Sequence, residues 1–135
     1  MTFSISRDIY DAMLAAATTA APLEACGLLG GVPGRAERFY ELTNACGSGG
    51  RFSLIPAEQF DAVRDMRRHG ASVVGIWHSH PTGPPRMSAE DIRLAAMPGV
   101  AHVIVSLTAA PRAAATAWRV QAGEAKHLEI IVADD

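Results

Sequence analysis

Apolar positions along this chain change period several times, and each change marks an element. Thr2 to Ser6 alternates in the manner of a strand, which predicts an edge strand. Ser6 then suits a helix N-cap. Ile9, Met13, Leu14 and Ala17 recur on one face of a helix over Arg7 to Thr19, which Pro22 ends. Ala25 to Gly31 is a short apolar strand, and Gly31-Val32-Pro33-Gly34 is a turn. From Arg35 to Thr43, Ala36, Arg38, Tyr40 and Leu42 alternate with Glu37, Phe39 and Glu41, so this strand returns as a hairpin. Asn44 to Gly50 reads as a flexible loop.

Pro56 suits the first turn of a second helix running to His69, with Phe60, Val63 and Met66 or Arg67 along one side. Ser72 to His78 is almost continuously apolar, as a strand buried on both faces would be. Pro81 to Pro85 excludes regular structure. Ser88 starts a short third helix that ends before Pro98-Gly99. Ala101 to Leu107 is another buried strand, and Thr116 to Gln121 and His127 to Val132 are the last two. The layout predicts an α/β (α+β) fold, a central mixed β-sheet flanked by helices, with residues 1–135 as one domain.

Composition narrows the class. With 135 residues, 49% of them hydrophobic and 19% charged, the chain can fill a core without staples. A net charge of −2 offers no electrostatic footprint for nucleic acid or an anionic membrane. Two cysteines make no disulfide framework, and both suit a reducing cytoplasm: Cys26 as a small core residue, Cys46 in a Gly/Ser loop. Met13 to Ala21 has the look of a leader-peptide core, but Asp8 and Asp11 precede it where a leader is normally basic, so no leader is expected. No stretch approaches the roughly 18 apolar residues of a membrane span.

The candidate chemistry lies at the end of the second apolar strand. His78 and His80, two positions apart on an extended segment, point to the same side, where one metal ion can reach both imidazoles. Asp91 can supply a third ligand if the chain turns back into a helix. Two neutral nitrogens and a carboxylate form a catalytic zinc set with the fourth position left for water. Ser88-Ala89-Glu90-Asp91 also reads as a capping box, and a carboxylate in the first helical turn suits the helix dipole. The same ligand types serve non-haem iron oxygenases.

The string His78-Ser79-His80-Pro81, six residues, Ser88, two residues, Asp91 resembles the signature of the JAMM (MPN-plus) zinc metallopeptidases, in particular their small stand-alone bacterial members. The resemblance covers the chain from about Ile9 to Leu107. It implies the JAMM/MPN (cytidine-deaminase-like) architecture and one Zn2+ per chain held by His78, His80 and Asp91. It also implies two catalytic residues. Ser88 would stabilise the oxyanion. Glu24, in Pro22-Leu23-Glu24-Ala25-Cys26-Gly27, would be the general base; it enters an apolar strand where an unpaired charge is costly.

Such an enzyme hydrolyses a peptide or isopeptide bond at the C-terminal tail of a ubiquitin-like protein. For the bacterial type the expected partner is a sulfur-carrier protein with a Gly-Gly tail, with release of cysteine. A homodimer is compatible with a domain of this kind. The rival readings are an MPN-type protein-binding scaffold and an enzyme active only with a partner. Scaffolds of that sort usually lack the ligands that are present here. Gly47 to Gly50 and Arg86 match no motif but are candidates for the mouth of the site; His69, His102 and His127 carry no spacing signal, and Glu90 has only a helix-dipole role.

Overall fold

A computed structural model describes residues 1–46, 51–95, 97–109 and 111–134. The expected loop at Gly47 to Gly50 lies outside the described residues. The chain runs β1 (Thr2–Ser6), α1 (Arg7–Ala20), β2 (Cys26–Val32), β3 (Arg35–Leu42), α2 (Pro56–Arg68), β4 (Ser72–His80), α3 (Ala89–Leu94), β5 (Ala101–Ser106), β6 (Ala114–Gln121) and β7 (Glu124–Ala133). The seven strands form one mixed sheet in the order β1-β3-β2-β4-β5-β6-β7, and the sheet closes on itself.

Closure corrects the expectation for β1. It is no edge strand: it pairs in parallel with β3 through Ser4 and Ile5 and with β7 from Thr2 to Ser6. Joining both ends of the sheet at β1 leaves no open edge among the described strands. All seven strands send side chains into one cluster, among them Ile5, Leu29, Ala36, Trp77, Val103, Ala117 and Leu128, which makes that cluster the inner face. Helix α1, capped by the Ser6 hydroxyl accepting from the Ile9 amide at 3.3 Å, lays Ile9, Met13, Ala16 and Ala17 on the same cluster.

The outer face of β2 and β4 is covered by α2. Ala62 and Met66 are its buried residues, packed with Leu28 and flanked by Tyr40, Leu54 and Ile76. The expected side through Phe60 is therefore wrong: Phe60 is 70% exposed. Small Ala62 lets the helix approach closely, and Phe60, two positions before it, lies on the opposite side at 100° per residue. The alternation read along β3 also breaks. The pairing of β3 with β2 shifts register between Gly30 and Gly31, so Ala36 and Phe39 both belong to the inner cluster.

Gly27 is required by a close approach. A Cβ there would lie 1.9 Å from the Tyr40 carbonyl oxygen and 2.6 Å from Trp77 Nε1. Its absence lets Trp77 reach across β2 and donate to that carbonyl at 3.1 Å. The contact ties β4 to β3 over β2, and β4 is the strand that carries both histidines.

Candidate metal centre

Strand β4 extends two residues beyond its predicted end, so His78 and His80 are both strand residues. Alternation puts Trp77 and Ser79 on the inner face and His78 and His80 on the outer one. Ser79 is fully buried and joins β4 to the entrance of β2. Its Oγ accepts from the Ala25 amide at 2.8 Å, and its own amide donates to the Ala25 carbonyl at 3.0 Å. Glu24 is the residue before this clamp.

The two imidazoles converge. His78 Nε2 and His80 Nε2 are 3.2 Å apart, His78 Nε2 is 3.3 Å from Asp91 Oδ1, and His80 Nε2 is 3.1 Å from Asp91 Oδ2. Ligand atoms of all three residues lie within 4.8 Å of one another. Two nitrogens about 2.0–2.1 Å from a tetrahedral zinc would be roughly 3.3 Å apart, so the donor set fits that ion. The tautomer fits as well. His80 Nδ1–H donates to the Pro84 carbonyl at 2.9 Å, which leaves the Nε2 lone pair free. Phe52 stacks on His78 with ring centroids 4.6 Å apart and limits how that ring turns.

Asp91 fulfils both readings of its sequence position. Ser88 is the N-cap of α3, its Oγ accepting from the Asp91 amide at 3.0 Å, while Asp91 Oδ2 accepts from the Ser88 amide at 2.9 Å. This reciprocal box fixes the carboxylate that faces both histidines. Because the Ser88 oxygen only accepts in the box, its own proton remains free to donate.

Protonation shifts favour metal binding at two of the three donors, Asp91 and His78. Burial raises the Asp91 carboxyl, but hydrogen bonds from His78 and His80 overcome it and hold the group well below the usual carboxylate range. Burial pulls His78 down, against the opposing pull of Asp91, so its ring is neutral near pH 7. Burial also acts on His80, but bonding to Asp91 and to the Pro84 carbonyl outweighs it and raises that ring.

Glu24 is 6% exposed, and among the described residues its Oε1 has no hydrogen-bond partner. Desolvation pushes its carboxyl up to about 7; the charge of His80 opposes the rise, and those of Asp91 and Glu90 add to it. A carboxyl poised near neutrality suits proton transfer in either direction. Cys26, opposite His78 in the β2–β4 pairing, is fully buried, and burial pushes its thiol up to about 12. It is a packing residue, not a nucleophile.

Two cavities meet at this centre. A polar chamber of about 460 Å³ is lined by Glu24, His80, Ser88 and Asp91 together with Pro84 and Arg86. A largely apolar cavity of about 280 Å³ lies on the His78 side, lined by Phe52, Leu54, Ile76, Leu94, Met97 and His102. Met87 and Asp91 belong to both walls.

Several residues of the centre carried no signal in the sequence. Asn44 is one: its Nδ2 donates to the Glu24 carbonyl at 3.0 Å and to the Arg51 carbonyl at 3.2 Å, and its Oδ1 accepts from the amides of Cys46 and Ser53. It ties the segment carrying Phe52 to the segment carrying Glu24. Phe52, Ser79 and His102 are the others. Phe52 and His102 are brought there only by the fold; Ser79 stands between the histidines in the chain, but its clamp on Ala25 carried no signal.

The family model described as prokaryotic homologs of the JAB domain matches residues 6–121. The chain belongs to the JAB-domain family. Within it, the CysO-cysteine peptidase of Mycobacterium tuberculosis is 38% identical over 104 residues, spanning 76% of this chain and 71% of that protein. The solution structure of protein DSY2949 from Desulfitobacterium hafniense superposes with a TM-score of 0.90 at 38% identity, covering 99% of this chain and 94% of that one. AF2198, a JAB1/MPN domain protein from Archaeoglobus fulgidus, gives a TM-score of 0.63 at 25% identity, with 96% and 98% covered. The JAMM/MPN resemblance and the mixed-sheet α+β fold expected from the sequence are borne out.

Proposed function

We propose that this JAB-domain protein is a zinc-dependent hydrolase acting on the C-terminal tail of a ubiquitin-like carrier protein. The observation that carries the reading is the convergence of His78, His80 and Asp91 beside a buried Glu24 whose Oε1 has no partner among the described residues. The peptidase name of the mycobacterial relative supports it. His78, His80 and Asp91 hold the zinc, which when bound supplies Lewis acidity and an acidified water. Glu24 takes a proton from the attacking water and returns it to the departing amine. Ser88, its own proton free, donates to the oxygen that becomes negative as the carbonyl is attacked. The capping box holds Ser88 and Asp91 in fixed relation, and Pro84 holds His80.

The substrate is a sulfur-carrier protein ending in Gly-Gly, from which cysteine is released, and the two free thiols of the chain suit a reducing cytoplasm. Glycine lets the tail backbone pass close to the wall formed by His80 and the Pro81–Pro85 loop. The test follows free cysteine from a ubiquitin-fold carrier ending Gly-Gly-Cys and from one ending Ala-Ala-Cys, using zinc-loaded protein. Release from the first and little from the second is expected. Equal release removes the glycine selection, and no release from either removes the hydrolase reading.

A further inference from the structure

The polar chamber contains a charge that the chemistry above leaves unused. Arg86 lines its wall beside Glu24, Ser88 and Asp91. The ion pairs of the described residues do not include it. The guanidinium is exposed, yet the backbone that carries it is held on three successive carbonyls. Gly83 accepts from Ser106 Oγ at 2.8 Å and from Thr108 Oγ1 at 3.1 Å; Pro84 accepts from His80 Nδ1 and, at 2.8 Å, from the Arg86 amide; Pro85 accepts from Thr116 Oγ1 at 2.6 Å. Strands β5 and β6 and the metal ligand His80 thus brace the loop that presents Arg86.

The two cavities differ in what they can receive. Glu24 lines only the polar chamber. The departing amine needs its proton from Glu24, so the residue on the amine side of the cleaved bond lies in that chamber. If that residue is the last of the chain, its carboxylate is one carbon away from the departing nitrogen. On leaving water that carboxylate needs a cationic partner, and the planar guanidinium of Arg86, a residue of the same wall, matches a carboxylate with two parallel hydrogen bonds.

Resting on the hydrolase reading, we infer that Arg86 binds the terminal carboxylate of the amine-side residue, so that the enzyme removes a single C-terminal amino acid and disfavours isopeptide or internal bonds. Arg86 is on this account a specificity residue. It takes no part in holding the metal or in moving the proton.

The test uses zinc-loaded protein and a ubiquitin-fold carrier ending Gly-Gly-Ala, made with a free C-terminal carboxylate and with a C-terminal amide. Alanine keeps a competing thiol away from the metal. The wild type should cleave the acid with kcat/KM about 10–100-fold above the amide, the range a charged hydrogen bond supplies. Arg86→Gln should lose that factor on the acid, leave the amide unchanged and retain zinc, while Arg86→Lys recovers part of the preference. Equal cleavage of acid and amide by the wild type, or an equal loss on both in Arg86→Gln, would overturn the inference.

Binding is read independently by NMR, titrating the tripeptide Gly-Gly-Ala as acid and as amide and following the Arg86 side-chain resonance. A shift with the acid alone is expected, and the same response to both peptides overturns the carboxylate anchor. A preference for the acid without any turnover would uphold the anchor and refute the hydrolase.

Discussion

Replacing Glu24 by glutamine separates what the buried carboxyl costs the fold from what it contributes to chemistry. The side chain is 6% exposed and its Oε1 is unpartnered among the described residues, so its charged form is disfavoured and its carboxyl rises from an ordinary 4.5 to about 7. A carboxyl raised on folding holds a proton that the unfolded chain releases. Its contribution to stability is complete below about pH 4.5 and is lost as pH rises through about 7. At about 1.4 kcal/mol per pH unit, the interval corresponds to about 3 kcal/mol. Glutamine has the same size and no charge to bury. In metal-free protein the variant should therefore match the wild type near pH 4 and exceed it by up to about 3 kcal/mol at about pH 8.5. Urea denaturation in the presence of a chelator, run across that range, gives the difference directly. With zinc restored, the variant should keep the metal and lose about 10²–10⁴-fold in turnover. A pH-independent difference between the two proteins, or a variant less stable at high pH, would refute the desolvation reasoning. Unchanged turnover would remove Glu24 from the reaction.

Ser88→Ala should cost about 0.5–2 kcal/mol as a lost N-cap and slow turnover by up to about 10²–10³-fold per folded molecule as a lost oxyanion donor; thermal melts and single-turnover rates distinguish the two effects, and an unchanged rate would leave only the cap. Ser88→Asp should fold, because aspartate caps well, and be nearly inactive because it puts a negative charge where one develops. Ser79→Ala leaves the Ala25 amide without its buried acceptor, which should cost about 1–3 kcal/mol and, by releasing the strand entrance at Glu24, lower turnover while zinc is retained; a full rate at wild-type stability would contradict the clamp. Gly27→Ala places a methyl against the Tyr40 carbonyl and the Trp77 indole, so a loss of at least about 1–3 kcal/mol is expected from urea midpoints, and a neutral result would mean that β2 moves aside freely.

Most elements were legible because their apolar periods are strong. The α1 face through Ile9, Met13 and Ala17 and the apolar run of β4 both lie where the pattern places them. What the pattern lacks is long-range. Nothing in Thr2–Ser6 reveals that it bridges β3 and β7, because both partners are distant in the chain and the pattern of a five-residue strand does not name them. The β6–β7 hairpin is only partly legible because its turn is Ala122-Gly123, both with positive φ, where Asn-Gly would have announced it. Phe60 departs from the expected face because hydrophobicity alone does not reveal that α2 buries the small Ala62 instead. The spacing of His78, His80, Ser88 and Asp91 was legible as a centre because three of these residues need one another chemically. The Asn44, Phe52 and His102 side chains join it only through the fold, and no local pattern encodes that.

The central claim is a zinc centre built from His78, His80 and Asp91. Elemental analysis of protein purified without added metal, alongside Asp91→Asn and the double variant His80→Ala, Asp91→Ala, tests it most directly. One zinc per chain in the wild type, weakened binding in Asp91→Asn and none in the double variant is the expected result. Full zinc occupancy in the double variant, or a folded wild type that takes up no zinc when it is supplied, would contradict the account.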